Sequence, residues 1–170
     1  MEVSCLQTRE ITHTALSLSL IMISFILFKG STNVFNAVIV PTVFYINYSK
    51  FSLREFLTLI LLSMTVALLF FFQQLFFILF YAVLAVFLKH LLENSYHKLI
   101  KIIILSSGFL IGFYITLSLT DIILGTALKK VLASVAAGNL IFIIILYSLT
   151  AVFVAVSLLF MVPEIEKRLN

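Results

Sequence analysis

Few side chains in this sequence are of a type that could do chemistry, and the histidines come first among them. His13, His90 and His97 lie beside long apolar runs, and seven residues separate the last two, a spacing that could place them on one helix face. A metal site would need further ligands, but Glu93 is the one carboxylate close to this pair and no cysteine is near it. The sequence also lacks a nucleophile elbow, a glycine-rich phosphate loop and a zinc-protease motif. We therefore expect a protein that is not an enzyme and that holds no metal or cofactor.

Asp121 is the acidic residue with the strongest case for a function. It ends a long apolar run, in the sequence Thr-Asp-Ile-Ile-Leu-Gly. An ionised carboxylate at membrane depth is costly, so such residues usually mark functional sites. In the alternative interpretation Asp121 lies at the membrane surface and pairs with Lys129 or Lys130.

Other polar residues lie with Asp121 in the connections between apolar runs. If the helices form a bundle, three of these connections meet at one end and form a mouth with amide, acidic and basic groups. An apolar pocket with a few convergent polar groups can bind a small molecule. In the alternative interpretation these are ordinary loop residues. The predicted substrate-binding residues are Asn33, Gln73, Gln74, Asp121, Lys129 and Asn139.

The composition indicates that these residues lie on or between membrane helices. Apolar residues make up 63% of the 170 residues and charged residues 11%, whereas a soluble domain carries about 25% charged residues. The mean hydropathy is +1.25. The sequence therefore predicts an all-α integral membrane protein, a compact bundle of about six transmembrane helices that forms a single domain over residues 1–170. Because the chain is so apolar, we expect the lipid bilayer to be a partner. The basic residues are scattered along the chain and not gathered into a stripe, so we expect no nucleic-acid partner.

Six apolar runs are long enough, or nearly long enough, to cross a bilayer. A helix rises about 1.5 Å per residue, so roughly 20 residues cross a 30 Å hydrocarbon core. One stretch is too long for one crossing, and we predict a tight turn at Gln73 and Gln74, because two adjacent amides are costly inside a bilayer. The short run with Pro41 predicts a tilted, kinked or re-entrant segment. The predicted runs are 11–28, 34–48, 56–88 (divided in two), 102–119 and 140–162.

The basic residues predict which side of the membrane each connection occupies. Basic residues in short loops stay in the cytoplasm. With six spans, eight Lys and Arg residues fall on one side and three on the other, which predicts a multi-pass protein of the cell membrane with both termini cytoplasmic. A five-span alternative, with 34–48 re-entrant, inverts everything after Lys50. The eight are Arg9, Lys50, Arg54, Lys89, Lys98, Lys101, Lys167 and Arg168, and the three are Lys29, Lys129 and Lys130.

Small residues in the first helix predict a contact with another helix. Ala15 and Ser19 are four residues apart. This spacing places two small side chains on one face, where a second helix can approach closely. We predict that the face formed by Ala15 and Ser19 is an interface with a partner, although such patches also serve packing within one bundle.

Six spans, cytoplasmic termini and this first helix resemble the substrate-binding S components of energy-coupling factor vitamin transporters. The segment Thr-Arg-Glu-Ile-Thr-His-Thr-Ala-Leu-Ser-Leu-Ser is similar to their first helix, in which an Ala-xxx-Ala motif docks on the transmembrane coupling subunit. Ala15 and Ser19 take the matching positions. The region around Pro41, followed by Phe-Ser-Leu-Arg-Glu, resembles the related YybS-like membrane proteins. The resemblance implies a substrate near the outer face, under the loops after helices one, three and five.

Two main functions follow as hypotheses. The first is a substrate-binding subunit that takes up a vitamin or other small nutrient together with separate coupling and ATPase subunits, because this chain has no nucleotide loop. The second is a non-enzymatic scaffold or assembly subunit, similar in size to MreD-like proteins, that acts through helix–helix contacts. A third is a small immunity or stress membrane protein. Bound metabolite in the purified protein would separate the first hypothesis from the second.

Overall fold

A computed structural model describes residues 2–28, 33–135 and 139–169, and these residues form seven α-helices and no β-strand. The all-α prediction is therefore confirmed for the described part of the chain. Lys29, one of the basic residues assigned to the outer side, lies outside it. The helices are α1 (Glu2–Leu27), α2 (Val34–Lys50), α3 (Leu53–Phe70), α4 (Leu75–Glu93), α5 (Lys98–Leu124), α6 (Leu128–Val135) and α7 (Leu140–Leu169).

The long apolar stretch breaks where the paired glutamines predicted a turn. Helix α3 ends at Phe70, a 3-10 turn covers Phe72–Gln74, and α4 begins at the next residue. The backbone N–H of Phe71 donates to the carbonyl of Ala67 at 2.8 Å, and that of Gln74 donates to the carbonyl of Phe71 at 2.7 Å. The turn therefore satisfies backbone groups that a helix end would leave without partners. The predicted division of the stretch into two helices is confirmed.

Within the described residues, four helices are long and apolar enough to cross a membrane: α3, α4 with its preceding turn, α5 and α7. Two predicted spans are shorter, since the apolar part of α1 is Ile11–Leu27 and α2 has 17 residues. Seventeen residues of helix are about 25 Å long, at the lower limit for a hydrocarbon core. The structure is thus compatible with a multi-pass membrane protein.

Helix α2 continues through Pro41. The sequence alone did not decide whether this segment is a tilted helix, a kinked helix or a re-entrant loop. Proline has no N–H, so the carbonyl of Ala37 loses its usual helical donor. The next residue, Thr42, donates from its Oγ1 to the carbonyl of Val38 at 2.7 Å. Pro41 is buried in the packed part of α2. Packing of this helix, and not local preference, keeps it continuous across the proline.

The chain forms two compact units, Met1–Val86 and Phe87–Asn170, and their boundary falls within α4. In the first unit α1 packs against α2 and α3, and α2 packs against α3. Fully buried apolar side chains from these helices form its core, including Ile21, Phe44 and Leu59. The capping box at Ser52 starts α3: its Oγ accepts from the Glu55 N–H at 3.3 Å, and Glu55 Oε2 accepts from the Ser52 N–H at 2.8 Å.

In the second unit α5 packs along α7, and α6 contacts both helices. Ala151 and Ala155 are fully buried on α7 and lie four residues apart, a spacing that permits close helix approach. The hydroxyl of Ser106 on α5 reaches the carbonyl of Ala151 at 3.5 Å. Helix α6 has eight residues and occupies a segment that the sequence interpretation treated as a connection. It begins three residues after Gly125, whose φ of 63° ends α5 in a left-handed conformation.

Candidate functional site

The six residues of the predicted outer mouth divide between the two units. Asn33, Gln73 and Gln74 belong to the first unit, and Asp121, Lys129 and Asn139 to the second. Some of these residues form hydrogen bonds that stabilise helix ends. Others have polar atoms without a hydrogen-bond partner among the described residues.

Asp121 joins the end of α5 to the start of α6. Its Oδ1 accepts hydrogen bonds from the Thr126 hydroxyl at 2.6 Å and from the Leu128 N–H at 2.8 Å, and its Oδ2 accepts one from the Lys129 N–H at 3.0 Å. A carboxylate that accepts from the first N–H groups of a helix satisfies donors that the helix cannot, and it complements the positive end of the helix dipole. Asp121 therefore holds α6 against the corner at Gly125.

Lys129 contacts Asp121 through its backbone N–H and not through its ammonium group. The ammonium Nζ of Lys129 lies 4.5 Å from the centroid of the Tyr114 ring, a distance at which a cation is attracted to the ring face. The same lysine thus donates its backbone N–H to Asp121 and places its charged ammonium over the ring of Tyr114 on α5. In one of the two sequence interpretations Asp121 pairs with Lys129 or Lys130 as ions; in the structure the Lys129 N–H donates to Asp121.

The two predicted asparagines start helices. Asn33 Oδ1 accepts from the Phe35 N–H at 2.9 Å at the beginning of α2. Asn139 Oδ1 accepts from the Ile141 N–H at 3.0 Å and from the Phe142 N–H at 3.3 Å at the beginning of α7. Asparagine is a preferred residue for this role, because its short side chain reaches the exposed N–H groups. Each asparagine therefore stabilises the helix that follows it.

The two glutamines differ in exposure. Gln73 is exposed, whereas Gln74 is 4% exposed and its Oε1 has no hydrogen-bond partner within the described part of the chain. The buried hydroxyl oxygens of Ser49 on α2, Ser63 on α3 and Tyr81 on α4 also have no hydrogen-bond partner among the described residues. Most buried polar atoms in proteins have a partner, so these four side chains are the ones in the first unit best able to bind a ligand or a further chain.

Two polar pairs that the sequence analysis did not predict tie α1 to α2. The Ser24 hydroxyl donates to Asn36 Oδ1 at 2.6 Å, and Asn47 Nδ2 donates to Ser17 Oγ at 2.8 Å. All four side chains are buried. The spacing carried a signal, since the two serines are seven residues apart and the two asparagines eleven, which in each case places them on one helix face.

The predicted partner face borders a groove between α1 and α3. Ala15 and Ser19 are both exposed, and the Ser19 hydroxyl donates to the carbonyl of Ala15 at 2.8 Å. The groove has a volume of about 720 Å³. Ala15 therefore contributes a small side chain to a concave surface. The Ser19 hydroxyl already has a hydrogen-bond acceptor within α1 and needs none from a partner molecule. The groove is lined by Ile11, Thr14, Ala15, Leu18, Ser52, Arg54, Glu55, Thr58 and Leu62.

Comparison with known proteins adds no relative to this description. The chain matches no protein-family model, and no curated protein or solved structure is significantly similar to it. The candidate surfaces therefore stand on their own geometry: the groove between α1 and α3, the corner capped by Asp121, and the buried polar atoms of the first unit.

Proposed function

We propose that this chain is a non-catalytic, multi-pass membrane subunit that docks through the groove between α1 and α3 on a helix of a second membrane protein. The proposal follows the resemblance to transporter S components, in which the first helix contacts the coupling subunit. Long apolar helices with exposed apolar side chains support a membrane location. Ile122 is 78% exposed and Ile141 70% exposed, and lipid rather than water suits such surfaces.

The proposed topology has six spans with both termini in the cytoplasm. The confirmed break at the paired glutamines supports it, because it adds one crossing to a stretch that would otherwise cross once. The distribution of eight basic residues against three supports the orientation. In this arrangement Gln73 faces the outside and the start of α5 faces the cytoplasm.

The observation that carries the proposal is the position of Ala15 at a concave and accessible surface. In lipid, helices associate by close van der Waals packing, and small residues at the contact allow it. On α7 the comparable pair, Ala151 and Ala155, is fully buried. Ala15 and Ser19 on α1 are exposed, so this pair is available to a helix from another protein.

The test is a bulky residue at this face. Ser19→Leu alone, and together with Ala15→Leu, should hold a partner helix away and abolish recovery of the complex from native membranes. Thr65→Leu is a matched control, because Thr65 is exposed on α3 and its Oγ1 donates to the carbonyl of Leu61 at 2.9 Å, as Ser19 does to its own helix. A complex that survives the double substitution would reject the docking surface.

The substrate of such a subunit is proposed to be a small polar nutrient that uses the buried polar atoms of the first unit. Gln74 supports this, because its amide oxygen is buried and has no partner within the described residues. Gln74→Leu should then weaken binding of the metabolite that the purified protein carries. Gln73→Leu is the control, since Gln73 is exposed.

A second candidate function is a scaffold that uses the same docking groove and binds no metabolite. It is favoured by the caps at Asn33, Asp121 and Asn139, because three of the six polar residues of the predicted mouth stabilise helix ends. Native mass spectrometry of the purified protein distinguishes the two. A bound small molecule supports the transport subunit, and its absence together with an intact complex supports the scaffold.

A further inference from the structure

A second groove lies in the unit Phe87–Asn170, at the beginning of α5 and the end of α7. Its volume is about 530 Å³, within the range of roughly 300–1,000 Å³ that small-molecule sites occupy. One wall is apolar and includes Ile102, Leu159 and Phe160. The rim carries three lysines, which come from α5 and α7: Lys98, Lys101 and Lys167. We call this surface the basic groove.

The charge of the basic groove is positive. Glu164 is the acidic residue among its lining residues, and its Oε1 accepts from Arg168 Nε at 3.2 Å, so a neighbouring cation offsets its charge. Lys101 is half-buried, and its Nζ donates to the carbonyl of Leu92 at 3.1 Å. That bond holds one ammonium at the rim, while Lys98 and Lys167 are exposed and able to turn toward an anion.

We infer that the basic groove binds an anionic phospholipid, with the phosphate among the three lysines and an acyl chain along the apolar wall. A free phosphate would use the lysines but not the wall formed by Leu159 and Phe160. An uncharged lipid would use the wall but not the lysines. The combination of both at the ends of two long apolar helices matches a molecule that has an anionic head and an apolar tail.

The inference rests on the membrane location in the proposed function, and it does not depend on the docking groove between α1 and α3. In the proposed topology the basic groove lies at the cytoplasmic surface. Anionic lipids attract basic residues there, and each lysine near the surface strengthens the attraction about fivefold. Three lysines together therefore predict roughly a hundredfold preference for an anionic over a zwitterionic headgroup.

The experiment measures lipid retained by the purified protein after reconstitution in vesicles of equal phosphatidylglycerol and phosphatidylcholine. Native mass spectrometry should show phosphatidylglycerol on the wild type and roughly a hundredfold less on the variant that lacks the lysines. Because the control removes the same number of charges elsewhere, it should retain the lipid. The variant is Lys98→Gln, Lys101→Gln and Lys167→Gln, and the control is Lys50→Gln, Lys89→Gln and Lys130→Gln.

Two further arms identify the source of the anion. Excess inorganic phosphate should leave the lipid in place, and Phe160→Ser, at an exposed position of the wall, should reduce retention of phosphatidylglycerol. Equal loss in the test and control variants, retention of both lipids alike, or complete displacement by phosphate would overturn the inference. Release of the wild type from membranes by alkaline carbonate would overturn the membrane location itself, so the two failures are distinguishable.

Discussion

The Ser17–Asn47 pair should contribute measurably to the stability of the first unit. Asn47 Nδ2 donates to Ser17 Oγ at 2.8 Å and to the carbonyl of Val43 at 2.8 Å, so both amide protons are used. Both side chains are at least nine-tenths buried, and the pair joins residues that are 30 positions apart. We predict that Ser17→Ala and Asn47→Ala each destabilise the fold and that their effects are not additive.

The size of the effect follows from the partner that each substitution leaves behind. Ser17→Ala leaves one amide proton of Asn47 buried without an acceptor, which costs about 1–3 kcal/mol in a protein interior. Interhelical hydrogen bonds in membrane proteins average about 0.6 kcal/mol and reach about 1.7 kcal/mol. We therefore expect each substitution to lower the free energy of unfolding by about 1–2 kcal/mol, with a coupling energy of about 1 kcal/mol.

The assay is a double-mutant cycle in mixed micelles, with unfolding by increasing dodecyl sulfate followed by helix content. The wild type, both single variants and the double variant give the coupling energy. Thr65→Ala is the control, because Thr65 is exposed and bonds within its own helix; its effect should stay within about 0.5 kcal/mol. A coupling energy within about 0.3 kcal/mol of zero would refute the view that this pair ties α1 to α2.

Three further predictions concern the α5–α6 corner and the topology. Asp121→Asn replaces one acceptor oxygen with an amide donor, so the Lys129 N–H should exchange with solvent faster, and unchanged protection would contradict the cap. Gly125→Ala should lower the free energy of unfolding by about 1 kcal/mol because Gly125 has a φ of 63°, and Gly125→Asn should lower it less. Equal stability of the wild type and both variants would count against the need for a left-handed conformation at this position. In intact cells a membrane-impermeant maleimide should label Gln73→Cys but not the native Cys5, and the opposite pattern would reject the proposed orientation.

The helical class, the positions of most helix breaks and the division at the paired glutamines could be predicted from the sequence. The physical reason is local. Apolar runs of helical length have few alternatives, and adjacent amides at Gln73 and Gln74 favour a turn over burial in an apolar helix. The capping box at Ser52 and Glu55 is also a local signal. Asn33 and Asn139, by contrast, were predicted as substrate-binding residues, and the structure shows that both cap helices.

The roles of the polar residues depend on contacts between distant segments, which the sequence did not predict. Asp121 was identified as an acid near membrane depth, but its role depends on α6 folding back so that three donors reach its oxygens. The exposure of Ala15 and the burial of Ala155 could not be read from two similar spacings, because the same pattern serves contacts within a unit and contacts with a partner. Helical periodicity tells which residues share a face, and packing between distant segments determines what that face meets.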